Sequence, residues 1–190
     1  MRIGRVLYPI SALGPGPRFG LWVQGCTRNC EGCANPELQN ITQADVPIDI
    51  LIGMARAAIK SYNLQGVTIS GGEPVLQAEE LVHFLDAISD LCNDILLFTG
   101  FSLEELQALN DSNINTLLKS VSVLIDGPYI ESLNRGELLR GSENQRIYCF
   151  NPSLKAKYES YLLQDRRVID NFIVRDGVVA VGIHPNGCLR

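Results

Sequence analysis

The chain has 190 residues, 46% of them hydrophobic and 19% charged, with 16 Lys and Arg against 21 Asp and Glu and a net charge of −5. That length suits one domain of the usual ~100–200 residues, large enough to bury a core without crosslinks, and the composition excludes a disordered chain. The acidic balance argues against a nucleic-acid surface, and apolar runs such as 95–98 fall far short of the ~20 residues of a membrane span. No basic segment followed by an apolar stretch opens the chain, so a cytoplasmic location is expected.

Residues 3–8 (IGRVLY) read as a first strand, followed by a loop punctuated with Gly and Pro, GPGPRFG at 14–20. LWVQ at 21–24 is a short apolar run that ends at Gly25, just before a group of cysteines. Ile48, Leu51, Ile52, Ala55 and Ile59 recur at helical spacing over 48–62, and GVTIS at 66–70 reads as a buried strand running into Gly-Gly-Glu-Pro. Leu81, Phe84, Leu85, Ile88 and Leu91 mark a helix within 77–92, and a strand at 95–98 ends in Thr99-Gly100. Ser102 and Glu105 have the spacing of a capping box that opens a short helix. Residues 121–126 form the next strand, ending at Gly127-Pro128, and 171–182 reads as a hairpin turning at Asp176-Gly177. Residues 150–170 carry no motif.

Strands alternating with helices predict an α/β fold whose parallel sheet has right-handed crossovers. Chemistry in such sheets gathers at the carboxyl ends of the strands. The unusual residues collect there: the cysteines after 21–24, Gly-Gly-Glu-Pro after 66–70, Thr99-Gly100 after 95–98, and Asp126 at the end of 121–126. One site is therefore expected. With no internal repeat or linker, residues 1–190 are expected to form a single domain.

Six cysteines stand at 26, 30, 33, 92, 149 and 188, and the first three fall within CTRNCEGC. Without an export signal these read as metal ligands or redox thiols rather than as disulfide partners. Three closely spaced thiolates are one short of the four that a structural zinc or an electron-transfer cluster uses, and an incomplete shell leaves a metal open to substrate. The alternative is a zinc knuckle completed by Cys92, Cys149, Cys188, His83 or His184. Cys92, Cys149 and Cys188 otherwise read as small buried hydrophobes, and His83 as a surface or core residue. In SGGEP, at 70–74, Gly71 and Gly72 let a ligand approach the backbone, and Glu73 can accept a hydrogen bond from an ammonium group.

CxxxCxxC followed some forty residues later by Gly-Gly-Glu-Pro resembles the radical S-adenosylmethionine superfamily. Within it the chain is most similar to the activating enzymes of glycyl radical enzymes, above all the anaerobic ribonucleoside-triphosphate reductase activases. Segments carrying that likeness are GPGPRFG at 14–20, WVQGC at 22–26, CEGCANPE at 30–37, LFTGF at 97–101, LIDGPYI at 124–130 and LRGSENQRIY at 139–148. VGIHPNG at 181–187 is similar to a Gly-Ile-Pro ending of those activases, with His184 interposed.

The resemblance implies a partial, open TIM-type β/α barrel with a C-terminal hairpin. It implies a 4Fe–4S cluster held by Cys26, Cys30 and Cys33, with S-adenosylmethionine chelating the fourth iron through its amino and carboxylate groups. Reductive cleavage would then yield a 5′-deoxyadenosyl radical that abstracts hydrogen from a substrate. Gly71, Gly72, Glu73 and Pro74 would bind the cosubstrate. Asp126 matches an acid that helps hold a cation or the ligand, and reads equally as a turn cap. Thr99 is a site hydroxyl or an ordinary strand-end threonine, and Asn35 contacts the cofactor, orients the loop or forms an Asx turn. Trp22 is expected to pack against the cluster or in the sheet. The polar run Arg140, Asn144, Gln145 and Arg146 is a docking rim for a protein or a solvated loop. No catalytic side chain is assigned. The implied partners are a glycyl radical enzyme, such as an anaerobic ribonucleotide reductase, and an electron donor such as flavodoxin or ferredoxin, with no nucleic acid and no membrane. Two alternatives stand beside this: a stand-alone radical enzyme acting on a peptide or small metabolite, and a zinc- or cluster-binding interaction module.

Overall fold

The computed structural model describes residues 1–42, 44–165, 167–174 and 177–184. In chain order the elements are β1 (Ile3–Ile10), β2 (Arg18–Val23), α1 (Ile48–Ser61), β3 (Gly66–Gly71), α2 (Ala78–Ile88) and β4 (Ile95–Phe98). There follow α3 (Leu103–Ala108), α4 (Ser112–Ser120), β5 (Val123–Asp126), β6 (Arg146–Cys149), α5 (Lys155–Leu162), β7 (Asp170–Val174) and β8 (Gly177–Val181). β1 to β6 form one sheet in chain order, and β7 pairs with β8 in a separate antiparallel hairpin.

The parallel expectation holds for β2 to β5 and is corrected at both edges. β1 runs antiparallel to β2, and β6 antiparallel to β5. The connection from β1 to β2 and the return from β5 to β6 carry no crossover helix, and such connections are free to reverse direction. A sequential strand order is the winding of a β/α barrel left open, whereas a doubly wound sheet reverses its order.

Side-chain alternation sorts the strands onto two faces. Phe19, Leu21, Val23, Val67, Ile69, Ile95, Leu97 and Leu124 pack against α1, α2 and α4 in one apolar core. The opposite face carries Trp22, Phe98, Leu96, Val123 and Ile125, covered by α5, the segment around Leu139 and the β7–β8 hairpin.

A charged residue interrupts that second face. Arg18, expected in a loop, begins β2 and is fully buried. Its guanidinium donates to Thr68 Oγ1 (2.7 Å), to the carbonyls of Val67 and Asp94 (2.9 Å each) and to the Asp94 carboxylate (3.0 Å). Asp94 also accepts from Lys157 Nζ and Tyr158 Oη, both at 2.7 Å. Burial would raise the Asp94 carboxyl, yet Arg18, Lys157 and Tyr158 hold it below its usual value. This network closes the end of the sheet where the parallel strands begin.

α4, β6 and α5 were not expected. Asp111 caps α4 by accepting from the Asn113 and Ile114 amides (2.8 and 3.0 Å). The capping box of α3 is present in both directions, Ser102 to Glu105 and back. The hairpin lies where it was expected, although Asp176 of its turn is outside the described residues. Among the described residues no helix is long and apolar enough to cross a membrane.

Candidate functional site

A cavity of about 470 Å³ opens at the carboxyl ends of the parallel strands. Its lining joins the cysteine loop (Cys26, Arg28, Cys30, Cys33, Asn35), the Ser70–Glu73 turn, Phe98 to Gly100, part of the 127–145 segment, and the chain leaving β8.

The cysteine loop is pinned at its neck. The Gly25 amide donates to the Leu38 carbonyl (2.9 Å) and the Cys26 amide to the Gln39 carbonyl (3.0 Å). Leu38 is buried in the one-turn 3-10 helix Pro36–Leu38. Within the loop the Arg28 amide donates to Cys26 Sγ and the Asn35 amide to Cys33 Sγ, each at 3.4 Å. Asn35, expected to contact the cofactor, orient the loop or form an Asx turn, lines the cavity and ties its backbone amide to Cys33. Burial pushes the Cys33 thiol up, and the nearby Cys30 and Cys26 sulfurs act in the same direction. All three thiols are free and half-buried.

The Gly-Gly-Glu-Pro turn grips this neck. Gly71 ends β3 with φ +116°, in the left-handed region. The Gly72 amide donates to the Val23 carbonyl and the Glu73 amide to the Gly25 carbonyl, both at 2.8 Å. A Cβ on Gly72 would collide with the Gly25 carbonyl, and one on Gly71 with the Val23 backbone. Both glycines line the cavity, where they were expected to let a ligand approach, and their missing side chains also make room for the chain that carries Cys26.

Glu73 is buried, and its carboxylate faces protein donors: Thr99 Oγ1 (2.8 Å) and the Val75 amide (3.3 Å) on Oε1, the Gly100 amide (2.7 Å) on Oε2. Burial pushes its carboxyl up to about 7, against these donors and the Arg28 guanidinium, which favour the anion. Thr99 lines the cavity, and its hydroxyl ties β4 to the turn. Pro74 is buried at the first position of the 3-10 turn Pro74–Gln77 and does not line the cavity.

Asp126 was read as an acid that holds a cation or the ligand, or equally as a turn cap, and its contacts are of the second kind. It is fully buried and absent from the cavity lining. Its carboxylate accepts from the Leu103 amide at the start of α3 (2.7 Å) and from Arg146 Nε (3.1 Å) and Nη2 (2.6 Å). Most of the expected docking rim is likewise engaged within the protein. Gln145 donates to the Gly127 carbonyl (2.9 Å) and accepts from the Gly141 amide (2.7 Å), Asn144 donates to the Pro128 carbonyl (2.8 Å), and Arg140 donates to the Gln145 carbonyl (3.1 Å).

Of the residues proposed to complete a zinc knuckle, His184 lines the cavity. Cys92 follows α2 and Cys149 pairs with Val123, both at the opposite end of the sheet; His83 is exposed on α2, and Cys188 lies outside the described residues. Among the described residues no three His, Cys, Asp or Glu side chains are gathered tightly enough to grip a single metal ion.

Arg28 was missed, although it stands between two of the cysteines. Its guanidinium stacks 4.1 Å from the centre of the Phe101 ring and pairs with Glu105. Glu131, Asn134 and Tyr129 were also missed, because they reach the cavity from a segment without periodicity.

Residues 12–148 match the family described as 4Fe-4S single cluster domain. The anaerobic ribonucleoside-triphosphate reductase-activating protein of Enterobacteria phage T4 is 34% identical over 148 residues, covering 75% of this chain and 90% of that protein. The protein of the same name from Haemophilus influenzae is 34% identical over 151 residues (75% and 95% covered), and that from Escherichia coli (strain K12) is 29% identical over 152 (74% and 94%). The chain therefore belongs to the 4Fe–4S single cluster domain family, alongside these activating proteins.

Proposed function

We propose that the chain is a radical S-adenosylmethionine enzyme that installs a glycyl radical on an anaerobic ribonucleoside-triphosphate reductase in the cytoplasm. The observation that carries this reading is the convergence of three half-buried free thiols and the Gly-Gly-Glu-Pro turn on one cavity at the carboxyl ends of the parallel strands.

The residues fit a 4Fe–4S cluster on the chemistry of their donors. Cys26, Cys30 and Cys33 offer three thiolates, two of them already receiving backbone N–H groups, the kind of contact that tunes a cluster. With three protein ligands, a fourth position falls to the cosubstrate. Glu73, Thr99 and the backbone of the turn lie on the same cavity and would receive its amino-acid end. When bound, the cluster and S-adenosylmethionine supply an electron that breaks the sulfonium carbon–sulfur bond and a 5′-deoxyadenosyl radical that takes a hydrogen atom.

The chain's own residues bind, orient and shield. Trp22, Phe98, Val181 and Ile183 give the cavity apolar walls that limit water around a reactive radical. A backbone glycine suits such a site because its α-carbon radical is delocalised over two amides and carries no side chain. An electron donor such as flavodoxin or ferredoxin supplies the reducing equivalent.

Anaerobic reconstitution tests the reading. Iron and sulfide should bind with a 4Fe–4S absorption spectrum, and Ala at Cys26, Cys30 or Cys33 should abolish it while Cys92→Ala retains it. Reduced protein, S-adenosylmethionine and the reductase should then give a doublet electron paramagnetic resonance signal that collapses with α-deuterated glycine. A cluster that survives Cys30→Ala sinks the ligand assignment; 5′-deoxyadenosine without a glycyl signal transfers the activity to a peptide or small metabolite.

A further inference from the structure

Arg28 stands between Cys26 and Cys30, and its backbone and side chain serve different neighbours. The amide donates to Cys26 Sγ (3.4 Å), while the guanidinium stacks 4.1 Å from the centre of the Phe101 ring and pairs with Glu105 on α3. Gly100 leaves room for this approach, since a Cβ there would stand 3.0 Å from Arg28 Cγ. The next residue, Asn29, turns the chain with φ +47°, in the left-handed region, and such a turn persists only where the surrounding structure holds it. At the neck of the loop the holding is done by the amides of Gly25 and Cys26. Further out, Arg28 supplies a side chain that crosses to the turn between β4 and α3.

The surface that receives Arg28 is ordered by its own contacts. Glu105 Oε2 also accepts from the Ser102 amide (2.7 Å), and Ser102 Oγ accepts from the Glu105 amide (3.1 Å), so the capping box orients the carboxylate. The Phe101 amide donates to Thr99 Oγ1 (3.2 Å), and its carbonyl accepts from the Gly127 amide (2.9 Å). An exposed ion pair contributes little when two long side chains must be ordered to form it. Here one partner is already ordered, and an aromatic face takes the place of part of the water around the guanidinium. The same turn carries Thr99 Oγ1 and the Gly100 amide, the donors to Glu73, so Arg28 ties the cysteine loop to the opposite wall of the site.

We propose that Arg28 is a positioning residue for the cysteine loop: held by Phe101 and Glu105, it keeps the loop in the shape that receives and retains the cluster. This rests on the preceding reading of Cys26, Cys30 and Cys33 as cluster ligands. Arg28 itself ligates nothing and transfers neither electron nor hydrogen. The pair is open to solvent, its side chains 24% and 48% exposed, so salt weakens it. Screening shortens the reach of such charges from ~10 Å at 0.1 M ionic strength to ~3 Å at 1 M. A loop released from this tie opens more often, and a cluster in an open loop is within reach of a chelator.

The experiment follows the loss of iron from the anaerobically reconstituted full-length protein to excess chelator, read as the decay of cluster absorbance, at low and high salt. Arg28→Ala should lose iron roughly tenfold faster than wild type (about 1.4 kcal/mol), with the melting temperature of the apoprotein little changed. Failure of Arg28→Ala to take up any iron at that unchanged melting temperature is the limiting form of the same result. Arg28→Lys, which keeps the charge and loses the flat stack, should recover part of the loss. Wild type should lose iron faster as salt rises, and Arg28→Ala should respond much less. Wild-type rates in Arg28→Ala, or the same salt response in both proteins, overturn the proposal and leave the ligand assignment standing. Faster loss that comes with a large fall in apoprotein melting temperature shows general destabilisation and also overturns it. A wild-type protein that takes up no cluster overturns the reading of the site together with the proposal.

Discussion

At Gly72 the backbone amide holds Val23 while the missing side chain leaves space for the Gly25 carbonyl. Gly72→Ala must push the cysteine loop away, an overpacking cost of about 1–3 kcal/mol. Thermal unfolding of the apoprotein should record that loss, and iron uptake should fall with it because Gly25 adjoins Cys26. Normal iron content would mean that the neck tolerates the shift. Glu73 makes a different prediction, one of pH. Its carboxyl titrates near 7 in the folded chain and near 4.5 when unfolded, so between these values the native chain holds a proton that the unfolded chain has released. Apoprotein stability from this group is therefore fully present below about pH 4.5, falls as pH rises through the window and levels off above 7. The effect is at most roughly 3 kcal/mol. Glu73→Gln, which is neutral throughout, should flatten the profile; urea midpoints on either side of the window measure it, and an unchanged slope would show that another group carries the pH dependence.

Among the elements, β5, α3 and β6 meet at one carboxylate. Asp126 satisfies an amide at the start of α3 and accepts two bonds from Arg146, which also pairs with Glu104 on that helix. Charge-assisted bonds of this kind contribute about 1.5–3 kcal/mol each when a buried partner is removed. Asp126→Asn should lower the melting temperature by several degrees, at roughly 2–4 °C per kcal/mol for a chain of this size. S-adenosylmethionine affinity should change by less than about twofold. Calorimetry and ligand titration on the same samples separate the two effects, and a large affinity loss with an unchanged melting temperature would restore Asp126 to the ligand.

The whole molecule is held at its two ends by different means. Where the strands finish, the cavity is assembled from loops; where they begin, Arg18, Asp94, Lys157 and Tyr158 close the sheet with a buried ionic network. Removing one partner of a buried pair costs about 3–5 kcal/mol, because the other charge is left uncompensated. Asp94→Ala should therefore unfold at a much lower urea concentration than wild type. The far end of the sheet should keep its cysteine loop until the chain unfolds as a unit. A loss below about 1 kcal/mol would mean that water or Lys157 rearranges to rescue Arg18.

Local patterns were enough for β1, α1, β3, α2, β4, α3, β5 and the hairpin, because each is written in short-range periodicity, a cap or a turn that the chain carries with it. The clustering of Cys26, Cys30, Cys33 and Glu73 at strand ends was legible for the same reason: strand polarity places whatever follows a parallel strand on one side of the sheet. α4, with polar residues at two-thirds of its positions, and β6, embedded in a polar run, have weak local signals and form because neighbouring strands and helices supply their partners. Only the tertiary structure decided what individual polar residues do. It turned Asp126 away from the cavity, packed Gly71 and Gly72 against backbone, buried Arg18 and brought His184 onto the site. Each outcome depends on contacts between segments distant in sequence, and spacing along the chain does not encode which of several satisfied partnerships a buried polar group adopts.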